Sequence, residues 1–164
     1  MATVTLYHGS KDQLTEILAE TGGYVCFGGV FASQNKANAA SFGDCIHTIE
    51  IDDQEIGNTQ DLWYTYDNVP AERRAMIKAI KAMTTAKTKA QVEAVFEIVA
   101  DDKDPSEDMF SVFRAADFAE ASWKAQALRG AIAKAAGFRA IEMSDEFGTS
   151  YLVLGGINTK IEMI

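Results

Sequence analysis

The alternation of apolar and polar positions is clearest at the two ends of the chain. Thr3 to Tyr7 alternates β-branched and apolar residues and breaks at Gly9, which predicts a short strand delivering His8-Gly9-Ser10 to a turn. Ser10 or Asp12 is placed to cap a helix over Gln13 to Glu20, ended by Gly22-Gly23. Tyr24 to Phe27 and Val30 to Ala32 read as short extended pieces around Gly28-Gly29. Ser33 is then expected to cap a helix over Asn35 to Ser41, and Cys45 to Ile51 alternates as the clearest strand of this half.

The period changes after Pro70. Ala71 to Met83 and Lys89 to Val99 carry apolar residues at helical spacing among good helix formers. Asp101 to Ser106 is linker-like, and a pattern broken once from Met109 to Ala136 predicts further helix, stopped by Gly137. Phe138 to Met143 and Ser150 to Leu154 then read as two strands of a hairpin whose tip, Ser144 to Thr149, carries carboxylates. Strands, a helical middle and strands again, without βαβ alternation, predict an α+β fold rather than a doubly wound sheet. The expected organisation is one domain over residues 1–164 with a helical insertion at about 70–127.

Composition narrows the class. With 164 residues, 48% of them hydrophobic, the chain buries one ordinary core. A formal net charge of −9 argues against holding nucleic acid through its phosphates, and favours a basic protein surface as partner. Neither a signal peptide nor a long apolar run is visible, so a cytoplasmic protein without membrane attachment is expected. Cys26 and Cys45 match no zinc spacing and read as reduced core residues; no metal is implied. His47, on an alternating strand, reads as structural. Asp61 to Tyr66 reads as an aromatic loop, available to a partner or to core closure. There is no Gly-x-Gly-x-x-Gly after a strand, so a dinucleotide would be held by another fold.

Three segments could carry chemistry. In Leu6-Tyr7-His8-Gly9-Ser10, a residue without Cβ lets the backbone approach a flat ring, and a neighbouring hydroxyl can bond the same ligand. In Gly29 to Ser33 and Ala39 to Phe42, Phe31 and Phe42 offer electron-rich faces to a cationic ring, although aromatics at such spacing also pack cores. In Ile141 to Thr149, any of Glu142, Asp145 or Glu146 could stabilise positive charge, although alone the trio reads as a solvated hairpin tip.

Taken in order, these segments resemble the His-Tyr-Glu branch of the ADP-ribosyltransferases, and most nearly the phage anti-CRISPR ADP-ribosyltransferases directed at type I-F systems. The resemblance covers Leu6 to Ser10, Gly28 to Gly43 and Leu128 to Leu154, with Asn58 to Gln126 unmatched. It implies a split-sheet core and NAD as substrate, with ADP-ribose moved to a protein acceptor. It further implies that His8 donates to the adenosine ribose, that Gly9 and Ser10 hold the nicotinamide carboxamide, and that Phe42, or second Phe31, stacks on nicotinamide. Asp145 stands where the subfamily has its catalytic carboxylate and would stabilise the charge that appears as nicotinamide leaves. The sequence departs in having Val30 and Phe31 where the wider branch has Tyr, and an Asp where it has Glu. The implied target is the DNA-recognition subunit of a type I-F surveillance complex. The rivals are a catalytically lapsed binding module, an NAD glycohydrolase, or a toxin with another target.

Overall fold

The structure, a computed structural model, describes residues 2–17, 27–146, 148–157 and 159–164. The chain divides into two compact units, Met1–Gly57 with Phe138–Ile164, and Asn58–Gly137.

The first unit holds all the strands among the described residues. β1 (Thr3–Ser10), β3 (Cys45–Asp52) and β7 (Ile161–Met163) form an antiparallel sheet in the order β1-β3-β7, with His8 opposite His47. β2 (Gly29–Ala32), β6 (Gly148–Leu154), β5 (Ala140–Asp145) and β4 (Ile56–Gly57) form a second sheet in the order β2-β6-β5-β4. Among the described residues only the β4–β5 pair is parallel. One isolated bridge joins the sheets, where Tyr7 and Ser33 exchange backbone hydrogen bonds of 2.7 and 2.9 Å. Alternate residues of both sheets fill the core between them: Leu6, Ile49, Ile51 and Ile161 from one, Ala32, Ala140, Tyr151 and Val153 from the other.

Two early expectations change here. The helix expected over Gln13 to Glu20 is not formed in its described part, Gln13–Ile17; Ser10 Oγ donates to the Asp12 carbonyl (2.6 Å), which makes a turn rather than a cap. The rest of that helix, and Tyr24 to Cys26 of the next predicted strand, lie outside the described residues. The helix after β2 is α1 (Lys36–Ala40), and its cap is Asn35, whose side chain accepts from Ala37 N–H (2.9 Å). Ser33 instead accepts from Asn35 N–H (3.0 Å), holding the turn before the cap. The late hairpin is longer than the pattern suggests: Ser144 pairs with Thr149 and Asp145 with Gly148.

The second unit is helical: α2 (Thr59–Asn68), α3 (Pro70–Met83), α4 (Lys89–Ala100) and α5 (Phe118–Ala135). Helix therefore begins well before residue 70. The aromatic loop expected at Asp61 to Tyr66 is α2, nucleated by a capping box in which Asn58 and Asp61 each accept the other's N–H (3.0 and 3.1 Å). Trp63 and Tyr66 serve core closure, whereas Tyr64 is exposed. Trp63 meets Phe96 edge-on and donates to Asp101 (2.7 Å), and Tyr66 stacks on Phe96 at 4.0 Å. Arg129, buried on α5, donates to the carbonyls of Val99 (3.1 Å) and Ala100 (2.6 Å) at the end of α4, where the Val99 carbonyl also accepts from Asp102 N–H (3.2 Å). Among the described residues no helix is long and apolar enough to cross a membrane.

Candidate active site

β1 enters the site along the edge of its sheet, beside β2. Val4, Leu6 and His8 share one face by alternation, so the hydrophobic residues that anchor β1 in the core also turn the His8 ring toward the space between the sheets. His8 Nδ1–H donates to the carbonyl of Phe31 on β2 at 2.6 Å. A carbonyl can only accept, so the proton sits on Nδ1 and Nε2 is left to face a ligand; among the described residues nothing bonds it. Burial holds the pKa of His8 below the usual histidine value; the Phe31 carbonyl works against that shift and nearby His47 adds to it.

Gly9 is glycine for a reason the sequence did not reveal. A Cβ there would stand 1.8 Å from the Ala39 carbonyl oxygen, so α1 lies directly against the β1 backbone. A Cβ on Gly43 would stand 2.2 Å from the Ser10 carbonyl, so the turn after α1 closes over the same strand end. Together these contacts bring His8, Gly9, Ser10 and Phe42 into one neighbourhood. Phe42 N–H donates to Ala39 O (3.1 Å), and the ring, 66% exposed, has a face open for stacking.

Phe31 and the late carboxylates are placed differently. The register Phe31–Leu152–Ile141 puts the Phe31 ring on the face of its sheet away from Ala32 and Tyr151, edge-on to Phe27 at 4.9 Å; toward His8 it offers its carbonyl. Asp145, exposed at the hairpin end, shares that face with Met143 and Ile141, which are themselves buried. Glu142 lies on the inner face, opposite Tyr151 and in line with Ala32. Tyr151 donates to Gln34 Oε1 (3.3 Å), and burial, with the Glu142 charge second, raises its pKa. Tyr151 and Gln34 escaped the sequence reading because only the three-strand register brings them together.

The same unit holds most of the net charge. It has four Lys and Arg against twelve Asp and Glu, while the helical unit has eleven against twelve; net charges of −8 and −1 make up the chain's −9. Of those four cations, Arg139 pairs with Glu55 (3.3 Å) and Lys160 with Glu162 (2.8 Å). Among the described residues no ion pair engages Lys11, just past Ser10, or Lys36, first in α1. A half-buried imidazole with one nitrogen presented, an exposed aromatic just after α1 and two lysines without an ion pair among the described residues suit a dinucleotide's hydroxyls, ring and phosphates.

The family model described as anti-CRISPR type I-F ADP-ribosyltransferase AcrIF11 matches residues 4–163. The chain belongs to that family. It is accordingly an ADP-ribosyltransferase with NAD as substrate, and the family's function implies a CRISPR–Cas target. The match runs through the middle of the chain, which the motif resemblance left unmatched. A solved structure described as that of an anti-CRISPR protein aligns with a TM-score of 0.68 and 26% identity, covering 99% of this chain and 96% of that one. No curated protein matches significantly. The two separate sheets and the helices between their strands agree with the ADP-ribosyltransferase-like α+β fold.

Proposed function

We propose that this ADP-ribosyltransferase modifies the DNA-recognition subunit of a type I-F surveillance complex in the host cytoplasm and thereby blocks DNA binding. The observation that carries the choice of target is the concentration of net negative charge in the unit bearing His8, where acidic residues outnumber basic ones twelve to four. An acidic enzyme is steered to the positive surface where DNA would bind, and ADP-ribose left there adds two phosphate charges and bulk against DNA. In this reading the two units act as one domain, the helical one an insertion.

Within the site, His8 meets a ribose hydroxyl, Gly9 and Ser10 hold the carboxamide, Phe42 stacks on nicotinamide, and the Phe31 carbonyl fixes the His8 ring. Asp145 stabilises the ribose as the nicotinamide–ribose bond breaks: nicotinamide leaves with the bonding electrons, and an acceptor nucleophile bonds to the ribose carbon and gives up its proton. Strand alternation supports a second reading in which Glu142, on the inner face beside Tyr151, is the working carboxylate. Incubating the purified complex with NAD and this protein should give a covalent ADP-ribose adduct by intact mass and loss of target-DNA binding. Asp145→Ala should lower adduct formation by on the order of 100-fold or more. If Glu142→Ala does so and Asp145→Ala does not, the second reading replaces the first. DNA binding lost without an adduct would make the protein a steric blocker.

A further inference from the structure

His47 is fully buried, and both its ring nitrogens are committed. Leu14 N–H donates to Nε2 at 2.8 Å, which requires a lone pair there and places the proton on Nδ1. That Nδ1–H faces the His8 carbonyl at 3.3 Å, and the two rings lie 6.0 Å apart on the same face of neighbouring strands. A directed chain results, from the Leu14 amide through His47 to the His8 backbone, and from the His8 ring to the Phe31 carbonyl. It ties β3, the segment after β1, β1 and β2 together at one residue.

We propose that His47 is a positioning residue for the NAD site, holding His8 so that its Nε2 accepts a hydrogen bond from a substrate hydroxyl instead of donating one. This rests on the reading that His8 touches NAD. It reverses the polarity that the sequence resemblance implied, because the Phe31 carbonyl has already taken the only proton of the neutral ring. Among the elements packed against β1, β3 places His47 and Cys45 on the His8 face, β2 carries no ionisable residue and α1 carries only Lys36. No carboxylate of these elements shares that face to stabilise an imidazolium, which agrees with the lowered pKa of His8.

NAD affinity of the intact protein, titrated by calorimetry from about pH 8 to about pH 5, tests the polarity by its sign. Protonating Nε2 removes the acceptor, so affinity should fall with acidification, by several-fold in all, the worth of one neutral hydrogen bond. His8→Ala should bind several-fold more weakly at pH 8 and lose the dependence. His47→Asn keeps a donor near the Nδ1 position for the His8 carbonyl, whereas His47→Gln keeps an acceptor near the Nε2 position for Leu14. We expect His47→Asn to stay within about threefold of the parent and His47→Gln to raise KM several-fold with kcat little changed, a split of the kind that marks lost substrate binding. Affinity that rises on acidification overturns the acceptor role even if His8→Ala is weakened. A weak His47→Asn beside a parent-like His47→Gln reduces His47 to an anchor for Leu14 and overturns the positioning role. Equal affinity for His8→Ala and the parent removes His8 from the site and overturns the underlying reading as well. Should either His47 variant fail to fold by circular dichroism, the sign of the parent's pH dependence still decides the polarity.

Discussion

Gly9→Ala separates two explanations for a glycine in the His8-Gly9-Ser10 motif: room for the substrate, or room for the protein's own helix. The added Cβ would stand 1.8 Å from Ala39 O and 2.7 Å from Ala39 C, against the 3.4 Å at which ordinary contact begins. Relief requires β1 and α1 to part by roughly 1.6 Å, the difference between those two distances. The obstacle is backbone, so no rotamer change removes it. The same carbonyl accepts the Phe42 amide, and a shift of α1 also moves the proposed stacking residue. Overpacking of this kind costs about 1–3 kcal/mol, and a rigid obstacle puts the cost at the upper end. For a chain of this length about 3 kcal/mol lowers Tm by about 6–12 °C. Gly137→Ala is the control: it meets nothing within 4 Å and carries only the cost of a left-handed φ of +95°, about 1 kcal/mol. Thermal melts followed by circular dichroism, with and without NAD, make the comparison. A Gly9→Ala protein that melts within about 2 °C of the parent, yet no longer binds NAD, would refute the packing argument and return the glycine to the substrate.

Arg129→Met should destabilise the helical unit by about 1–3 kcal/mol, because it strips the side-chain donor from the Ala100 carbonyl and one of two donors from the Val99 carbonyl while keeping an apolar stem; a urea midpoint unchanged from the parent would exclude this. Stability should also depend on pH through His8. Its folded pKa is lowered, so the unfolded chain takes up the proton first, and stability present above the ordinary histidine value of about 6.5 is lost as pH falls through the folded value. Urea midpoints across this window should show a slope that is smaller in His8→Gln; an equal slope assigns the effect to another group.

The sequence determined the parts whose signal is local. Helices α3 and α4 and strand β3 lie where period and propensity put them, because each buries one regular stripe and carries its own stop or cap. The motif order was enough to indicate the family and its substrate, since NAD chemistry demands particular residue types in spatial neighbours that strand ends supply. Tertiary structure decided what depends on pairing between distant segments. Asp61 to Tyr66 became helix because Phe96, thirty residues on, receives Trp63 and Tyr66. Gly9 answers to a carbonyl thirty residues away, and the proton on His8 is placed by Phe31 on another sheet. Glu142 and Asp145 are equivalent by type and differ only in the face that the β5–β6–β2 register assigns them. Periodicity records which side of an element is apolar; it does not record which partner meets that side, and the direction of a hydrogen bond is set by the partner.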